Sequence, residues 1–276
     1  MLRDRARSAA ILVPPLLVAL WIGEPLIAAV VAIAVLIAAL ELFKLLTTAG
    51  HASFPSLGAA LAVVVALGDS VKNVDGGSGL LLLAVGMVLV GVAALTRPDP
   101  REGLAMFAVT SFGAAYLGLL GYVSRLSDAG PAIDPGSPLG WLGAARAWVL
   151  ILVLGVWAFD TAAYFVGRRF GRRRLLPHIS PGKTIEGVAG GAVTAVILTA
   201  VLVGLIGRSP LLGFGLGLAI AAAAQTGDLV ESMLKRAAGA KESGTLIPGH
   251  GGMLDRIDSF LFAAPVAFLY VVAAFR

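Results

Sequence analysis

Residues 185–207 read IEGVAGGAVTAVILTAVLVGLIG, and residues 210–227 read PLLGFGLGLAIAAAAQTG. The first run has the roughly 20 residues that a helix needs to cross the hydrocarbon of a bilayer. Only Arg208 and Ser209 separate it from the second, so the pair reads as two membrane helices joined by a tight turn. Seven further apolar segments lie outward of this pair, near 8–22, 26–47, 56–69, 78–96, 103–124, 146–167 and 256–275. The segments near 8–22 and 56–69 are short, as tilted or half-buried helices are. The expected fold is all-α: a polytopic integral membrane protein of about nine transmembrane helices. No soluble domain, Pro/Ser linker or fixed-period repeat interrupts the series. The natural division is 1–140, a set of membrane helices for packing, lipid access and dimer contacts, and 141–276, a catalytic membrane domain.

Composition agrees. The mean hydropathy is +0.93. Hydrophobic residues make up 58% and charged residues 13% of the chain, about half the charge content of an average soluble domain. The net charge of +5 is not spread as nucleic-acid binding would need. The basic residues cluster between apolar segments, where they suit anionic headgroups or phosphates. There is no cysteine, which excludes disulfides, thiolate metal sites and a thiol nucleophile. Arg3, Arg5 and Arg7 before a short apolar run resemble a signal peptide, but Pro14-Pro15 and an immediate second apolar segment point to a first membrane helix.

Nine segments with a cytoplasmic N-terminus place Arg97, Arg101, Arg168, Arg169, Arg172, Arg173, Arg174, Lys183, Lys235, Arg236, Lys241 and Arg256 inside. Lys72, Arg125, Arg146, Arg208 and Arg276 fall outside. The asymmetry satisfies the positive-inside rule, and eight helices would put one basic region on the wrong side. The outer loop from Ser127 to Gly140, rich in Pro, Gly and Asp, reads as a solvated connector, as does Lys72–Gly79.

Three polar patches fall on the inner side. In the first, Asp160 and Tyr164 share a helix face before Gly167, Arg168 and Arg169. An acid inside an apolar helix costs about 2.5–3.5 kcal/mol on insertion scales, so Asp160 is either a functional group or the partner of a nearby arginine. In the second, Ser180-Pro181-Gly182-Lys183-Thr184-Ile185-Glu186-Gly187 leads into a helix. Backbone N–H groups at a helix start accept anions, but the spacing is not that of a nucleotide-binding P-loop. A topology determinant is the plainer reading, and Glu186 suits the helix dipole.

The third patch is the densest. Asp228, Ser232 and Lys235 recur at helical spacing with Glu231 beside them, and Arg236, Lys241 and Glu242 follow. Pro248-Gly249-His250-Gly251-Gly252 is a tight return that brings Asp255, Arg256 and Asp258 towards Asp228. Carboxylates select Mg²⁺ or Mn²⁺, usually one or two of them together with substrate phosphates. Asp228, Asp255 and Asp258 are the candidate metal ligands. Lys235, Arg236, Lys241 and Arg256 would neutralise polyphosphate charge. A salt-bridged hairpin is the alternative, but its joint density of acids, bases and glycines favours a catalytic site.

Ser232-x-x-Lys235-Arg236, then Lys241-Glu242-x-Gly244-x-x-Ile247-Pro248-x-His250-Gly251-Gly252-x-x-Asp255-Arg256-x-Asp258, resembles the signature of the phosphatidate cytidylyltransferases, also called CDP-diacylglycerol synthases. Glu242 departs from it, standing where the family usually has aspartate. Ile179-Ser180-Pro181-x-Lys183-Thr184-x-Glu186-Gly187 and Asp160-x-x-Ala163-Tyr164-x-x-Gly167 also resemble family segments, so the likeness covers about residues 157–260. It implies the reaction of CTP with phosphatidic acid to give CDP-diacylglycerol and pyrophosphate in phospholipid biosynthesis. It further implies a requirement for Mg²⁺, with Mn²⁺ or a second cation as variants, and a homodimer in the cell membrane with its site on the cytoplasmic side. Asp228 and Asp255 are then expected to hold the metal, with Asp258 as a ligand or its support. Lys235, Arg236 and Arg256 would hold triphosphate, and Ser180 and Lys183 would grip a phosphate. Thr184, Ser232, Lys241, Gly251 and Gly252 complete the candidate binding surface. His250 would bond a phosphate or shape the turn rather than act as a base. The competing readings are a CTP-dependent enzyme acting on another lipid phosphate or a lipid alcohol, and, more distantly, a secondary transporter.

Overall fold

A chain this apolar has to satisfy its backbone N–H and C=O groups within each segment, and the α-helix does so without help from neighbours. The computed structural model is accordingly helical almost throughout the residues it describes, 18–68, 78–244 and 251–275. Most of the segment at 8–22, the connector at Lys72, His250 and Arg276 lie outside those residues. The helices are α1 (Glu24–Thr48), α2 (Pro55–Gly68), α3 (Ser78–Ala94), α4 (Pro100–Gly118), α5 (Tyr122–Ala129), α6 (Gly143–Phe170), α7 (Ile185–Leu205), α8 (Pro210–Ala237) and α9 (Leu254–Ala274). Short 3₁₀ turns precede α5 and α6. Among the described residues six helical stretches are long and apolar enough to cross a membrane, and α2 and α3 are shorter apolar helices.

The expectation of an all-α chain requires one amendment. The loop before α7 is a two-stranded antiparallel hairpin, β1 (Arg174–Leu176) with β2 (Ser180–Thr184). Backbone groups between helices still need partners, and strand pairing supplies them where the helix has ended.

The chain forms two compact units, one of Met1–Ser124 and Leu234–Ile257, the other of Arg125–Met233 and Asp258–Arg276. In the first, Phe43 and Leu42 of α1 are fully buried. The Phe43 ring sits in a notch made by missing side chains: a Cβ at Gly58 of α2 would lie 2.6 Å from its Cε2, and one at Gly113 of α4 would lie 2.7 Å from its Cζ. Asp99 caps α4 by accepting from Arg101 N at 2.9 Å, with Pro100 at the first helical position.

In the second unit, small residues let helices approach closely, the usual solution where lipid removes any hydrophobic drive between them. A Cβ at Gly187 would meet Ala163 O at 2.7 Å, one at Gly191 would meet Phe159 O at 2.7 Å, and one at Gly213 would meet Thr199 O at 2.9 Å. Tyr270 of α9 donates to Leu212 O of α8 at 3.1 Å. The connector after α5 is solvated but also anchored. Asp134 N donates to Ile206 O at 3.2 Å, Leu139 N to Leu205 O at 2.9 Å, and Trp148 Nε1 to Pro131 O at 2.8 Å.

Candidate active site

α8 runs well past the apolar segment, to Ala237, so Asp228, Glu231, Ser232, Lys235 and Arg236 are all helical. Lys235 and Arg236 occupy its last turn, where cations complement the helix dipole. Gly239, at φ +66°, then reverses the chain, and Ala240 N donates to Lys235 O at 2.8 Å.

In the second unit α8 and α9 touch at Gly227, whose missing side chain leaves room for Asp258 O. The contact brings Asp258 beside Asp228 and Glu231, with one carboxylate oxygen from each within 4.8 Å of the others. Glu231 is fully buried. Asp228, Glu231 and Asp160 all act electrostatically on Asp258. Such crowding of like charges among apolar helices is costly unless a cation offsets it. Lys183 offers one positive charge, its Nζ being ion-paired with Asp228 Oδ2. Ser232 Oγ donates to Asp228 Oδ1 at 3.4 Å, and Ser259 N to Asp258 Oδ1 at 2.6 Å. The oxygen donors, their negative charge and their spacing fit a hard divalent cation.

Lys183 reaches Asp228 because the hairpin is held at both ends. At its base Glu186 accepts from Arg172 N at 3.0 Å and Arg173 N at 3.2 Å, beyond the helix-dipole role that its position suggested. Arg173 O accepts from Ile185 N at 2.9 Å. Ser180 opens β2 and is partly exposed. The Thr184 hydroxyl is buried and caps α7 by accepting from Gly187 N at 3.1 Å.

Asp255 belongs to the first unit and has a different environment. Its Oδ1 accepts from Lys235 Nζ at 2.6 Å. Its Oδ2 accepts from Ser243 N at 2.9 Å, Ser243 Oγ at 2.8 Å and Gly252 N at 2.8 Å. An ionised carboxylate offers about four acceptor sites, and among the described residues Lys235 is the donor at Oδ1. Gly251, at φ +74°, makes the turn that presents Gly252 N, and both glycines are buried. Arg236 Nη1 donates to Ala240 O at 2.9 Å, while Lys241, Glu242 and Arg256 are exposed.

Three residues of these clusters lay outside the expected ligand and binding set. Glu231 stood next to the expected ligands, and its burial completes the acidic cluster. Ser243 lies within the quoted signature. Glu41, whose Oε2 stands 3.2 Å from Ser243 Oγ, is an acid towards the C-terminal end of a largely apolar helix, the kind of signal that singled out Asp160.

Comparisons with known proteins place the chain among its relatives. The description "Cytidylyltransferase family" matches residues 3–274. A phosphatidate cytidylyltransferase of Haemophilus influenzae is 49% identical over 42% of this chain and 43% of its own length. One from Bacillus subtilis is 49% identical over 43% of this chain and 44% of its own. The chain thus spans less than half the length of these two relatives. A phosphatidate cytidylyltransferase of Staphylococcus haemolyticus is 33% identical over 78% of both chains. With a match from residue 3 to residue 274, the chain belongs to the cytidylyltransferase family.

Proposed function

We propose that this protein transfers the cytidylyl group of CTP to phosphatidic acid, giving CDP-diacylglycerol and pyrophosphate. A phosphate oxygen of the lipid attacks the α-phosphorus of CTP. The bridging bond to the β-phosphate breaks, and pyrophosphate leaves with that oxygen. The nucleophile is already an anion, so the protein needs no Ser–His–Asp triad and no cysteine. Its task is to bring anions together and to stabilise the charge that moves onto pyrophosphate.

The observation that carries this reading is the gathering of Asp228, Glu231 and Asp258 around one point, with Lys183 paired to Asp228. These three carboxylates would hold Mg²⁺ or Mn²⁺, and a second cation would use the same acidic surroundings. Bound there, the metal supplies charge neutralisation and orientation of polyphosphate oxygens. Lys183 and Ser180 grip a phosphate, with Ser232 supporting Asp228. Lys235, steadied by Asp255, holds triphosphate together with Arg236, Arg256 and Lys241. Asp255 thus serves first as the anchor of Lys235, and ligation of a metal would be its second role.

The setting that goes with this activity is the cell membrane. The chain crosses it nine times from a cytoplasmic N-terminus, residues 1–140 serve packing and lipid access, and residues 141–276 serve catalysis. Two copies form a homodimer, CTP arrives from the cytoplasm, and the lipid enters sideways. Purified protein in detergent, given dioleoyl phosphatidic acid, Mg²⁺ and α-labelled CTP, should make labelled lipid. Failure in folded protein would sink the proposal, and γ-phosphate found on lipid would identify a kinase instead.

A further inference from the structure

The carboxylate of Glu41 leaves α1 to meet the loop that carries Asp255. Its Oε1 accepts from Met253 N at 3.0 Å, and its Oε2 accepts from Leu254 N at 2.9 Å. These N–H groups open α9, whose first turn has no partners within its own helix. Ser243 Oγ, which donates to Asp255, stands 3.2 Å from Glu41 Oε2. The approach depends on two missing side chains. A Cβ at Gly244 would lie 2.7 Å from Glu41 Oε1, and one at Gly252 would collide with Glu41 Oε2 and Ser243 Oγ. An acid in a largely apolar helix therefore sits in a socket shaped for it, more than 200 residues away in sequence.

We propose that Glu41 is a positioning residue for nucleotide binding. It sets the start of α9 and the loop from Gly251 to Leu254, and through Gly252 N and Ser243 it fixes Asp255, which in turn holds Lys235. The inference rests on the reading above that Lys235 binds the triphosphate. Glu41→Gln keeps the shape but sets an amide NH₂ against a backbone N–H, leaving one donor without an acceptor. The loop shifts, and displacements of this kind cost about 10- to 100-fold when they misplace a binding group.

The test measures KM for CTP, KM for phosphatidic acid and kcat in Glu41→Gln and in Gly244→Ala, which crowds the same carboxylate from the other side. Amide exchange at Met253 and Leu254 is followed in parallel without substrates. The expected result is a KM for CTP raised at least about tenfold, an unchanged KM for phosphatidic acid and faster exchange at both amides. An unchanged KM for CTP with unchanged exchange would overturn the proposal, as would equal losses for both substrates with lowered thermal stability. If Glu41→Gln does not fold, Gly244→Ala decides. If the wild type makes no CDP-lipid, the catalytic reading fails by itself, and the exchange comparison still tests the socket.

Discussion

Asp255 and Asp258 are one helical turn apart on α9, yet they sit in opposite surroundings. Asp255 accepts from a lysine, a serine hydroxyl and two backbone N–H groups. Asp258 faces Asp228 and Glu231. A carboxylate surrounded by donors holds a structure together. Carboxylates gathered against one another store an unfavourable interaction that a cation can relieve. The same residue type thus stands among donors in one place and among acids in the other, and its neighbours decide which task it suits.

Substitutions can break or sharpen this contrast. The largest expected effect is on stability: Asp255→Asn removes one partner of a partly buried ion pair and should cost about 2–3 kcal/mol, seen as a lower denaturation midpoint in detergent with chelator present. Asp228→Asn and Asp258→Asn should do the reverse. Each ought to lower cytidylyl transfer by about 100-fold or more, while the midpoint of the metal-free protein stays level or rises. A clear drop in that midpoint would mean that the acidic cluster is structural.

Mg²⁺ provides the third probe. At about 100 times its dissociation constant it should stabilise the wild type by about 2.7 kcal/mol. That shift should vanish in Asp228→Asn and persist in Asp255→Asn. Its loss in Asp255→Asn as well would make Asp255 a ligand and erase the division drawn here. Next in size, Lys183→Ala should reduce transfer about tenfold by leaving Asp228 without its cation. Unchanged apparent affinity for both substrates would remove the hairpin from the site. The smallest effect is expected for Thr184→Val, about 1 kcal/mol of stability through the lost cap on α7, with transfer rates near wild type.

Much of this was legible in the amino-acid sequence because lipid imposes a simple rule. Apolar runs of sufficient length become helices, and the starts of α7 and α8 fall at Ile185 and Pro210, where hydropathy places them. The approach of Asp258 to Asp228 was also accessible, since each lies at the end of an apolar run, but Asp255, expected with them, accepts from Lys235, Ser243 and Gly252 instead, and Glu231 stands in the acidic group. The extension of α8 past its apolar run was legible only in the spacing of Asp228, Ser232 and Lys235, because polar helix and polar loop otherwise look alike once the apolar pattern stops. The hairpin before α7 was hidden for a related reason: Ser180-Pro181-Gly182-Lys183-Thr184 has no strand alternation, and its pairing depends on Glu186 tying down the base. Glu41 shows a third limit. A lone acid in a membrane helix announces that a partner exists, but only the fold reveals that the partner is the backbone at Met253 and Leu254.

The contact at Gly227 has one more consequence. A Cβ at Gly227 would collide with Asp258 O, so the close approach of α8 and α9 beside Asp228 and Asp258 needs a glycine there. With the proposed cation between the two acids, the pair would act as a ruler, and a ruler discriminates ions by radius. Gly227→Ala would push α8 and α9 apart and lengthen it. If this site holds the proposed Mg²⁺, that change should shift its selectivity towards the larger Ca²⁺, a shift that metal titration of the variant would read.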